Sequence, residues 1–93
     1  MNKYILSYRL TPMPFGRESV HSIILNWTPD FYFDRNNDQK DEEMVEIRKQ
    51  MLRWCSENIG KNGIDWSHNV FATGLVIDFS NRPDAMIFRL TWS

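Results

Sequence analysis

Carboxylates are the densest chemistry-bearing groups in this sequence. Asp30, Asp34, Asp38, Asp41, Glu42, Glu43 and Glu46 share residues 30–46 with only two bases, Arg35 and Lys40. That segment carries a net charge of −5, which leaves +4 on the rest of a chain whose total is −1. Crowded carboxylates bind calcium when a loop wraps them around the ion. An EF-hand loop beginning at Asp34 would need Gly where Gln39 stands and Glu where Val45 stands, so that motif fails. The aromatic run Phe31-Tyr32-Phe33 adjoins the acids, and this pairing suits docking: acid steers a basic surface into contact and the aromatics anchor it. The candidate partner-binding residues are Asp30, Phe31, Tyr32, Phe33, Asp34, Asp38, Asp41 and Glu42. A solvated acidic loop is the plainer account of the same charges.

Other chemistries find less support. His21, Cys55 and His68 lack the paired spacing of a structural zinc site. A thiol nucleophile would have to be Cys55 with one of those histidines, yet Cys55 falls on the apolar arc of a helix, where a thiol packs as a small hydrophobe. No Gly-x-Ser-x-Gly elbow occurs, and Gly16, Gly60, Gly63 and Gly74 are too scattered to cradle phosphate. The residues imply no enzyme and no cofactor. Tyr4, Tyr8, Phe31, Tyr32 and Phe33 offer stacking platforms, with Lys3, Arg9, Arg17 and Arg35 for phosphates, which is the equipment of a single-strand nucleic-acid binder. The competing account makes those aromatics the core of a small domain.

The elements that must position these groups follow from periodicity. Ninety-three residues make one domain, 1–93, and 42% hydrophobic with 25% charged residues excludes a disordered or collagen-like chain. Tyr4, Leu6, Tyr8 and Leu10 alternate with Lys3, Ser7 and Arg9, which predicts a strand. The prolines and glycine of Thr11–Arg17 predict a loop, and Val20–Trp27 a second strand, covered on both sides as an inner strand would be. Residues 28–38 read as a break and a polar loop.

A helix follows, capped by Asp38 with Asp41 three residues on. At about 100° per residue, Met44, Val45, Ile47, Met51, Leu52, Trp54, Cys55 and Ile59 share one half of its circumference. Gly60 stops it. Val70–Phe79 reads as a third strand, with Phe71, Leu75, Ile77 and Phe79 on one side and a bulge or close backbone approach at Gly74. Asn81 and Pro83 predict a final helix with Ala85, Phe88 and Trp92 on one stripe, although Met86, Phe88, Leu90 and Trp92 also alternate as a strand would. The expected fold is a small α+β sandwich in β-β-α-β-α order, an antiparallel sheet with helices on one face.

The second half, from Met51-Leu52-Arg53-Trp54 through Trp66 and Phe79 to Asp84-Ala85-Met86-Ile87-Phe88-Arg89-Leu90-Thr91-Trp92, resembles small uncharacterised proteins of tailed bacteriophages. Those end in Asp-Ala-x-x-Phe-Lys/Arg-Leu-x-Trp after an aromatic-rich strand. The resemblance covers about 40 residues, implies a phage origin and transfers no catalytic residue.

One cysteine forms no internal disulfide, the N-terminus lacks a signal-peptide core, and no stretch approaches a membrane span, so the expected location is the cytoplasm of an infected bacterial host. The expected function is non-enzymatic: a phage protein that binds a host or phage protein through the acidic-aromatic segment, for instance to inhibit a defence or nucleic-acid enzyme. Single-stranded nucleic-acid binding and homo-oligomeric assembly as a virion component are the alternatives, and no membrane partner is expected.

Overall fold

Alternation in the first third of the chain folds into a hairpin whose inner side chains seed the core. The computed structural model describes residues 3–15 and 18–93. Strand β1 (Tyr4–Thr11) runs antiparallel to β2 (Val20–Trp27), with Tyr4 opposite Trp27 and Thr11 opposite Val20. Two helices follow: the four-residue α1 (Pro29–Tyr32) and the long α2 (Lys40–Asn58). Strands β3 (Trp66–Phe71) and β4 (Gly74–Phe79) form a second hairpin, and helix α3 (Arg82–Trp92) ends the chain. Among the described residues the strands make one antiparallel sheet in the order β1-β2-β4-β3.

The α+β architecture and its strand-strand-helix-strand-helix progression stand as expected, with two refinements. The segment 28–33, expected as loop, contains α1, because Thr28 caps the turn through its side-chain oxygen and Pro29 holds the first helical position. The expected third strand is a hairpin, with Ala72 and Thr73 turning the chain. That turn changes the side-chain parity. Phe71 pairs with Gly74 and points away from the core, while Leu75, Ile77 and Phe79 point into it.

Helices cover one sheet face. Ile23, Leu25 and Trp27 from β2, Leu75, Ile77 and Phe79 from β4, and Trp66 from β3 pack with Met44, Met51 and Cys55 of α2 and Ala85 and Phe88 of α3. Each fully buried Leu, Ile or Phe stabilises by roughly 1.5–3 kcal/mol relative to exposure. Phe88 joins the layers, its ring 5.5 Å from Phe79 and 5.7 Å from Trp54. Asn81 caps α3 by accepting from the Asp84 N–H at 3.0 Å, so the terminal segment is helix and not strand. Its core-facing residues, Ala85, Phe88 and half-buried Trp92, make the terminal segment a packing stripe.

The start of α2 differs from expectation. Asp38 does not cap it; Gln39 occupies the cap position without a side-chain bond, and Asn37 Oδ1 accepts from the Gln39 N–H at 3.1 Å. Asp41, Glu42 and Glu43 still fill the first turn, where they complement the positive end of the helix dipole. Gly60 follows the helix with φ +149°. Gly74 is a close approach: a Cβ there would overlap the Leu25 carbonyl oxygen on the neighbouring strand.

Candidate functional site

The eight residues singled out by charge and aromaticity do not form one surface. Phe31 is buried, its ring 5.6 Å from Trp27 and capped on one side by the Lys3 ammonium at 5.7 Å. It is a core residue, and its expected role as a partner anchor is withdrawn: α1 turns it beneath the end of the β1-β2 hairpin. Phe33, one residue beyond α1, is 71% exposed, with its ring edge-on to half-buried Tyr32 at 4.9 Å. Asp34 accepts from the Asn36 N–H and shapes the loop, while Asp30, Asp38, Asp41 and Glu42 are exposed.

Where α2 leaves the end of the second hairpin uncovered, an open groove of about 690 Å³ forms. Its helical wall is Asp41, Met44, Val45 and Arg48, a stripe at helical spacing; its opposite wall is Val70, Phe71 and Ala72 from the end of β3 and the turn. Tyr32, Phe33, Arg35 and Lys40 close it on the side of the α1-α2 connection. Val70 stands on the helix-bearing side of the sheet, opposite buried Leu75, yet is 53% exposed. Val45, on the apolar arc of α2, is exposed to the same extent. These two valines face space that a neighbouring element would ordinarily fill.

The charges sort unexpectedly. Of the acids at 30–46, only Asp41 lines the groove, whereas both bases of that segment do, joined by Arg48. Helix geometry explains this. Asp41, Val45 and Arg48 fall within about 60° of one another around α2, while Glu42 and Glu46 project about 100° and 140° from Asp41. Glu43 turns the other way and pairs with Lys3 at 2.9 Å. Lys40 is held in place, its ammonium donating to the Tyr32 carbonyl at 2.7 Å and lying 5.9 Å over the Tyr32 ring.

The other candidate chemistries stay dispersed. Tyr4 and Tyr8 point to the helix side, where the Tyr4 hydroxyl donates to the Trp92 carbonyl at 2.6 Å and the Tyr8 hydroxyl bonds His21 Nδ1 at 2.7 Å. Burial raises the Tyr4 phenol above its ordinary value. Lys3 is committed to Glu43 and Phe31, Arg9 lies on the opposite, open face, and Arg17 lies outside the described residues. The proposed stacking surface is therefore not one surface. Cys55 is fully buried, which pushes its thiol up to about 12, and His68 lies against Trp66. Among the described residues, no three His, Cys, Asp or Glu side chains are arranged to hold a metal ion. No helix among them is long and apolar enough to cross a membrane.

The candidate partner-binding residues left out Arg35, Lys40, Met44, Val45, Arg48, Val70, Phe71 and Ala72 of the groove lining. Arg48 was legible as the next member of the stripe from Asp41 and Val45, whereas the hairpin residues depended on a turn with no glycine, asparagine or aspartate at its centre. The sequence matches no family model, no curated protein and no solved structure.

Proposed function

We propose that this chain acts by binding and not by catalysis, and that it docks a host or phage protein in the groove between the start of α2 and the tip of the second hairpin. The observation that carries this reading is the uncovered apolar wall: Phe33, Val45, Val70 and Phe71 are all more than half exposed around one concavity. Exposed aromatic and aliphatic side chains gathered beside a pocket are what a partner's anchor residue buries against. A phage origin, implied by the bacteriophage-like ending, fits a small protein whose task is to occupy a host or phage macromolecule.

The test is affinity capture from infected bacterial cells with the wild-type protein and a Phe33→Ser/Phe71→Ser variant. A protein retained by the first and lost from the second, with unchanged unfolding midpoints, supports the reading. An identical retained set on both refutes it.

Self-association is the second reading. β1 and β3 are edge strands, and the sheet face opposite the helices exposes Ile5 by 60%. Unpaired edges and bare apolar side chains favour pairing between copies. Light scattering separates the two: a monomer at micromolar concentration removes this alternative.

A further inference from the structure

We infer that the groove's occupant is an acidic peptide segment in which a large apolar side chain stands beside one or two carboxylates, an inference that rests on the groove being a docking site. Charge complementarity carries it. Arg35, Lys40 and Arg48 line the groove against a single acid, Asp41. Among the described residues the ion pairs are Lys3 with Glu43 and Arg53 with Glu57, so neither groove arginine is matched by a carboxylate among them. A guanidinium offers a planar fork of donors that a carboxylate fills with two parallel hydrogen bonds. Phe33 and Phe71 supply the apolar contact beside it.

The surrounding acids decide how much negative charge the occupant brings. Asp34, Asp38 and Glu42 neighbour the lining residues in sequence without lining the groove themselves. A polynucleotide would carry a phosphate at every step past these carboxylates, within reach of a Debye length of about 8 Å. One or two carboxylates delivered to the arginines meet much less repulsion. A basic peptide is drawn by the outer acids, but its cations would be set against three others inside the groove. Acids on the outside with cations inside thus select a short acidic-apolar segment.

A surface-displayed library of random dodecapeptides panned on the full chain tests this. Selected peptides are expected to join Asp or Glu to Phe, Leu or Met. Their synthetic versions should lose at least tenfold in affinity on Arg35→Glu/Arg48→Glu, since charge-assisted hydrogen bonds exceed the ~1.4 kcal/mol that a factor of ten represents. Arg48 is half-buried, so Arg35→Gln/Arg48→Gln, checked by circular dichroism, serves if reversal disturbs the helix; it should weaken binding in the same direction. Selection of basic peptides, equal binding to the arginine variants, or displacement by oligothymidine overturns the acidic-segment inference. The groove reading survives those results if Phe33→Ser/Phe71→Ser still abolishes binding. If no peptide distinguishes that variant from wild type, the docking reading falls and takes this inference with it.

Discussion

Replacing Gly74 by alanine should break the sheet where it holds the groove wall. Gly74 starts β4, faces Asn26 on β2 and Phe71 on β3, and is buried. An added Cβ would overlap the Leu25 carbonyl oxygen, reach 2.9 Å from the carbonyl carbon and 3.2 Å from Asn26 Cα. These are backbone atoms, so no side chain can swing aside; β4 must lift from β2. Forced overpacking costs about 1–3 kcal/mol and each weakened ladder hydrogen bond about 0.5–1.5. Alanine returns only about 0.4–1 kcal/mol by restricting the unfolded chain. The net loss is about 3 kcal/mol, a large share of the 5–15 kcal/mol typical of a domain, and lowers Tm by about 12–24 °C. Urea and thermal unfolding followed by circular dichroism measure it. A change below about 0.5 kcal/mol would mean that the two strands do not approach as described, and that the tip of the second hairpin is not held in place by this contact.

Removing the α3 cap with Asn81→Ala should cost about 1 kcal/mol, read from the urea midpoint, with no change in binding. Phe33→Ser and Phe71→Ser remove exposed side chains and should shift stability by less than about 0.5 kcal/mol, so lost binding by these variants reports the groove and not the fold. Native Cys55 should resist Ellman's reagent at neutral pH and react on unfolding, because burial keeps its thiol protonated. Its folded value of about 12 lies above the ordinary 9.0. The unfolded chain therefore releases this proton first, and stability falls as pH rises through the interval from about 9 to about 12. A Cys55→Ala variant should show a shallower alkaline decline; equal slopes would contradict the buried placement.

The sequence made most elements visible because each carries a single strong period. Alternation from Tyr4 to Leu10, the apolar arc of α2 and the Asn81-Pro83 start of α3 all appear where the residues point. The second hairpin stayed hidden because alternation runs almost unbroken through Ala72 and Thr73, and a two-residue turn without the usual glycine or asparagine leaves no mark. Gly74 signalled the close approach but not the turn beside it. The candidate site was legible only in part. Tyr32, Phe33 and Asp41 reach the groove, but Phe31 is drawn inward by a cap at Thr28. The direction of the charge was hidden for a different reason. A linear count of −5 says nothing of which side of a helix each acid takes, and rotation along α2 turns Glu42, Glu43 and Glu46 away while bringing Arg48 in.

The most direct measurement is amide chemical-shift mapping on the isotope-labelled chain during titration with the captured partner or a selected acidic peptide. The groove predicts saturable shifts concentrated at residues 32–35, 41–48 and 70–72, with the open sheet face around Ile5, Ile24 and Val76 unmoved. Shifts centred on that sheet face, or spread along β1, would contradict it.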